Sequence, residues 1–175
     1  MLLLAFAWQA AHAADAELAE YQIKAAFLCK FGQYVEWPPE GLGGAEQPFV
    51  IGVMATPAVG DELALAARGL TVHGRPILVR RTDRVGELVE GVAIVYIARS
   101  HAARAAEVIG VLKDRPVLTV TELDSEHPGS GIVNFVVVDD KVRFDISLTA
   151  ATRSRLRISA RLLGVARNVA GKAAA

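Results

Sequence analysis

Residues 92–98, VAIVYIA, form an apolar run without polar alternation, and a strand of that kind has to be covered on both faces. A one-sided sheet is therefore ruled out, and helices are needed above and below. The flanking sequence supplies them. From residue 15 onward the periodicity predicts a helix to about residue 35, a strand at 49–54, a helix at 58–68 and a strand at 76–81. A short helix at 83–90 precedes the run at 92–98, followed by a helix at 100–113 and a strand at 116–121. Such alternation favours parallel strands joined by crossover helices. The expected fold is α/β, a single three-layer domain over residues 14–175 with a mostly parallel central sheet, an antiparallel C-terminal hairpin and flanking helices. With 175 residues, 53% of them hydrophobic, the chain is long enough to bury roughly 70% of its unfolded surface in one core.

The hairpin is read from GIVNFVVVDDKVRFDISL, residues 131–148, where two β-branched and aromatic runs meet at Asp139-Asp140. These two carboxylates are explained by turn chemistry, since no His, Cys or further Asp stands at ligand spacing beside them. Arg143 and Asp145 point to one face of their strand, as a structural ion pair or as part of a binding surface. The stretch 149–170 then reads as one long helix. Leu156, Ser159, Leu163 and Ala166, joined by Ile158, Leu162, Val165 and Val169, fill an apolar arc, while Arg153, Arg157 and Arg161 recur every four residues opposite it. That basic row is either a solvated face or a dock for an acidic partner or anionic ligand. Arg155 projects into the arc, so it needs a carboxylate or a frayed first turn.

The first helix is apolar on two sides. Leu18, Tyr21, Ala25, Leu28 and Val35 make one stripe, and Ile23, Phe27 and Tyr34 make another. Either the domain covers both, or the second stripe meets a partner or another copy of the chain, which makes Ile23, Phe27 and Tyr34 interface candidates. Trp37, in Glu36-Trp37-Pro38-Pro39, is either a recognition anchor or a plug at the corner between helix and strand.

Residues 1–13, MLLLAFAWQAAHA, resemble a short secretory signal peptide ending in Ala11-His12-Ala13, though no Lys or Arg precedes the apolar run. An upstream start codon would supply that basic region; a buried N-terminal helix is the alternative. No other stretch approaches the ~20 apolar residues of a membrane span, so direct membrane insertion of the mature chain is not expected. Cys29 is the sole cysteine and reads as a packed thiol. The 19 basic and 19 acidic residues balance, which gives no reason to expect nucleic-acid binding. His73, His101 and His127 read as surface residues without a second ligand, so neither a metal nor a cofactor is expected. The loop after the first strand, 55–61, lacks both a dinucleotide fingerprint and a phosphate-loop lysine. With no nucleophile-base pair at recognisable spacing either, the residues point to binding rather than catalysis.

Three blocks carry a family resemblance: YQIKAAFLCKFGQYVEWP at 21–38, RPVLTVTEL at 115–123 and IVNFVVVDDKVRFDISLTAATRSRLRISARLL at 132–163. In kind, order and separation they resemble the YfiR-type family of small periplasmic proteins. The resemblance implies a periplasmic, non-enzymatic α/β regulator that represses an inner-membrane diguanylate cyclase by binding its periplasmic sensor region. It further implies an OmpA-like outer-membrane lipoprotein as a second partner, and a second copy of the chain is a third candidate. Relatives in that system carry several cysteines, whereas Cys29 stands alone, which excludes an intrachain disulfide. The residues by themselves leave a second class open, a periplasmic small-ligand-binding module acting on a different membrane sensor.

Overall fold

The computed structural model of the protein describes residues 2–123 and 129–171, with side chains from residue 15 onward. Eight strands form the main sheet in the order β10-β8-β7-β6-β5-β2-β4-β3. Its centre is parallel: β4 (Arg75–Arg81), β2 (Phe49–Met54), β5 (Ile94–Ile97), β6 (Leu118–Thr121) and β7 (Val133–Val138) all run one way. β8 (Lys141–Ser147) returns antiparallel to β7, β10 (Asn168–Ala170) lies parallel to β8, and β3 (Thr71–Val72) pairs antiparallel with β4 at the other edge.

Side-chain parity along β2 divides the core. Phe49, Ile51 and Val53 join one cluster with α1 (Leu2–Tyr34) and α2 (Pro57–Ala66), while Val50 and Met54 join a second with α3 (Ala105–Leu112). Every side chain of β5 and β6 is buried, as the apolar run at 92–98 requires. The α/β architecture, the mostly parallel sheet and the antiparallel hairpin all match the sequence reading. The expected short helix at 83–90 is a 3-10 turn, Val85–Leu88, and the helix at 100–113 opens with a 3-10 segment, Arg99–Arg104, before α3.

At the hairpin tip, Asp139 and Asp140 have φ of 50° and 57°, the paired positive values of the turn that matches the right-handed twist of its strands. Between β6 and β7 a buried polar network replaces part of the ladder. Thr121 donates its hydroxyl to Asn134 Oδ1 at 2.8 Å and accepts the Gly131 N–H at 3.0 Å, and Asn134 bonds both backbone groups of Leu123 at 2.9 Å. A Cβ on Gly131 would lie 2.6 Å from the Thr119 carbonyl oxygen, so only glycine lets the chain approach here. This arrangement fixes where the chain leaves β6, and with it the position of Glu122.

The stretch 149–170 is not one helix. α4 (Leu148–Arg153) stops two residues before Arg155, which takes a left-handed φ of 56°, and β9 (Arg157–Ile158), α5 (Ala160–Leu163) and β10 follow. Ser147 and Ser159 explain the break, since each accepts an N–H three residues on, from Ala150 at 3.2 Å and Leu162 at 3.3 Å, and so starts a new helix. Arg153, Arg157 and Arg161 are all exposed, but they sit at the end of α4, on β9 and in α5 and share no helical face. Arg143 is not the partner of Asp145; Arg167 grips that carboxylate through two nitrogens, with Nε at 2.7 Å from Oδ1.

α1 is enclosed on two sides. Ala25, Leu28, Cys29 and Phe31 are buried, and burial pushes the Cys29 thiol up to about 11. Phe27 and Phe31 stack against the hairpin, each edge-on to Phe144 at 5.3 and 5.4 Å, with Phe135 closing the group at 5.9 Å from Phe31. Phe31→Ala is expected to lower unfolding free energy in urea by about 3–5 kcal/mol. A loss below 1 kcal/mol would contradict a rigid aromatic cluster at this position.

Candidate functional site

Two places on α1 gather polar chemistry. The first is its C-terminal corner. After Tyr34 the chain enters β1 (Val35–Glu36), which pairs antiparallel with β9, Val35 opposite Ile158 and Glu36 opposite Arg157. The Ser159 N–H closes the join by donating to the Tyr34 carbonyl at 2.9 Å. Trp37 then packs edge-on against Phe49, ring centres 5.3 Å apart at 86°, and Pro38 and Pro39 turn the chain away.

Between this corner and the C-terminal segment lies a cleft of about 780 Å³. Leu148, Ala151, Leu156 and Leu163 line its apolar side, and Glu36, Arg155 and Arg157 carry its charge. Arg155 is held by Glu40, so its left-handed backbone and its ion pair both fix it across the cleft. The Arg157 guanidinium has no acidic partner among the described residues. The indole N–H of Trp37 is shielded from solvent and finds no acceptor among them. A buried donor left in that condition costs about 1–3 kcal/mol.

Of the residues selected from the sequence, the structure brings Trp37 and Arg157 into this cleft, with Arg153 and Arg161 on the adjoining elements. Phe27 and Tyr34 are half-buried against the core, and Ile23 is 47% exposed in a different groove. His101 Nε2 lies 3.2 Å from Asp83, bridging the loops after β5 and β4, and His127 lies outside the described residues.

The second place was not legible in the sequence. Lys24, 1% exposed, points from α1 to the carboxyl ends of β5 and β6, where its Nζ lies 2.6 Å from Glu122 Oε2. Tyr96 donates its hydroxyl to the other Glu122 oxygen, and Glu20 shares the ammonium from one helical turn back. The Tyr21 ring lies 5.4 Å from the ammonium, and Arg99 approaches Glu20 at 3.4 Å. Burial raises the Glu122 pKa above the ordinary carboxylate range, and the Lys24 charge pulls it back. Burial, then the Glu17 carboxylate beside it, pushes the Tyr21 phenol up to about 12. Every charge in this group has a partner, so it locks α1 onto the sheet and leaves no group free to react.

A family profile described as YfiR/HmsC-like matches residues 21–167. The chain belongs to that family. The matched span of this YfiR/HmsC-like chain takes in both walls of the Trp37 cleft and the Lys24–Glu122 pair with Tyr96. No curated protein matches the chain. Among the described residues no helix is long and apolar enough to cross a membrane, and no three His, Cys, Asp or Glu side chains converge as a metal site would need.

The network predicts an asymmetry in stability. Lys24→Met leaves Glu122 buried without its cation and is expected to cost about 3–5 kcal/mol, whereas Lys24→Met with Glu122→Gln restores much of the loss. Urea denaturation of the three proteins checks this, and equal losses in the single and double variants would refute the pairing.

Proposed function

We propose that the chain is an exported, non-enzymatic regulator that holds a membrane diguanylate cyclase in its inactive state by binding the periplasmic sensor region of that enzyme. The observation that carries the reading is the YfiR/HmsC-like match over residues 21–167, which spans both walls of the Trp37 cleft. The site has the composition of a recognition surface, with a half-buried tryptophan, an apolar wall and, beside it, an arginine that has no acidic partner among the described residues. Repression asks no chemistry of such a surface. Driving a two-state sensor from mostly active to mostly inactive takes about 5.5 kcal/mol of differential binding, within reach of one partly apolar interface. Export rests on Ala11-His12-Ala13, and cleavage there would leave the family-matched span whole.

Deleting the gene in its source bacterium is expected to raise cyclic di-GMP, and only a form carrying residues 1–13 should restore the lower level. Mass spectrometry of the exported protein should find Ala14 at its N-terminus. Trp37→Ala should weaken repression, since loss of a Trp anchor costs about 2 kcal/mol or more of binding. An unchanged cyclic di-GMP level on deletion would remove the cyclase from the reading.

One observation favours a second reading, a module that binds a small ligand and acts on a different membrane sensor. The Trp37 side chain and the Arg157 guanidinium line one cleft of about 780 Å³ with an apolar wall, and Arg157 has no acidic partner among the described residues. A ligand with an apolar body and an anionic group would match the wall and the arginine. Melting temperature measured across a panel of such acids separates the readings, because a ligand held only by the folded state must raise it.

A further inference from the structure

A second groove, of about 540 Å³, runs between the middle of α1 and the β7–β8 hairpin, away from the Trp37 cleft along the helix. Its helical wall is the row Ala16, Ala19 and Ile23, where two small side chains leave the space and one aliphatic side chain stands at its edge. Val137 and Val142 form the opposite wall. Ile23 and Val137 are 47% and 41% exposed, so each leaves aliphatic surface in water. Among the described residues, Glu17, Glu20 and Asp140 rim the groove against a single cation, Arg99. Arg99 and the buried Lys24 are both drawn to Glu20, while among the described residues Glu17 is met by the Tyr21 hydroxyl alone, at 3.0 Å, and Asp140 stands exposed at the hairpin tip.

An apolar trough with a net negative rim selects its occupant by charge. A second copy of this groove would bring like rims together, which is repulsive. A segment carrying an aliphatic or aromatic side chain flanked by Lys or Arg fits both features. We propose that this groove receives such a basic, apolar-anchored segment from the periplasmic region of the membrane sensor, so that the regulator holds its partner at two places along α1. The proposal rests on the regulator reading above.

The test is made in the deletion strain, complemented with exported wild type, Ile23→Asp, Ile23→Leu, or Glu17→Lys combined with Asp140→Asn. Asn tolerates the left-handed backbone of position 140, and all three positions are exposed, so the variants should melt with the wild type. The expected result is loss of repression, with cyclic di-GMP at the deletion level, for Ile23→Asp and for the charge variant, while Ile23→Leu represses as wild type. If both disruptive variants repress normally while wild type also does, the groove is not the dock and the regulator reading stands. If wild type itself leaves cyclic di-GMP unchanged, both fall together. A wild-type dimer in light scattering that Ile23→Asp converts to monomer would assign the groove to a second copy and overturn the proposal.

Discussion

The pairing of Lys24 with Glu122 sets the rest of the molecule. Two opposite charges are taken out of water at the carboxyl ends of the central strands, where Tyr96 and Glu20 complete their hydrogen bonds. Apolar side chains of equal size would hold the helix at least as tightly, so net stability is not what distinguishes the pair. Its effect is positional. A leucine contact tolerates a slide along the sheet, whereas a buried ammonium has one carboxylate to meet and leaves an uncompensated charge if it misses. Glu122 is itself placed by the Thr121–Asn134 network and by the close approach at Gly131, so the position of α1 is referred back to the register between β6 and β7.

From that fixed point the helix works as a ruler. Between Glu20 and Tyr34 it advances about 21 Å, at 1.5 Å per residue. Phe27 and Phe31 clamp its middle to the hairpin, and Gly32 allows Val72 to approach so closely that a Cβ would meet its methyl at 2.7 Å. The corner at Glu36 therefore arrives where β9 can pair with it, and the cleft beside Trp37 follows. The C-terminal segment is irregular by itself, with two short helices and two short strands, and it is held by what α1 presents to it.

This explains which parts were legible in the sequence. The strands and crossovers were, because parity and periodicity are local: the covered run at 92–98 and the double-Asp turn each carry their instruction within a few residues. The stretch 149–170 was misread because its arginines fall four apart and its apolar residues also fit a helix. The local signals against that reading were Ser147 and Ser159 at cap positions and the β-branched Ile158 between two arginines, but the deciding contact, β9 on β1, joins residues more than a hundred apart. Lys24 and Glu122 were invisible for the same reason, since a separation of 98 residues has no periodic signature. Trp37 was legible as a residue worth following, although its missing acceptor was not, because an unmet hydrogen bond exists only in three dimensions.

The charge balance takes on a different meaning once the fold is known. Nineteen charges of each sign cancel over the chain, which argues against a general field for nucleic acid or anionic surfaces. Along α1 they do not cancel locally. Glu17, Glu20 and Asp140 outnumber Arg99 around the groove at one end of the Glu20–Tyr34 stretch, while Arg153, Arg155, Arg157 and Arg161 stand on the elements at the other, opposed there by Glu36 and Glu40. A neutral body with ends of opposite sign orients an approaching partner without attracting every charged one, because reversed docking sets like charges together. Specificity of that kind depends on the distance between the two ends being constant. A rigid helix fixed by a buried ion pair keeps it so.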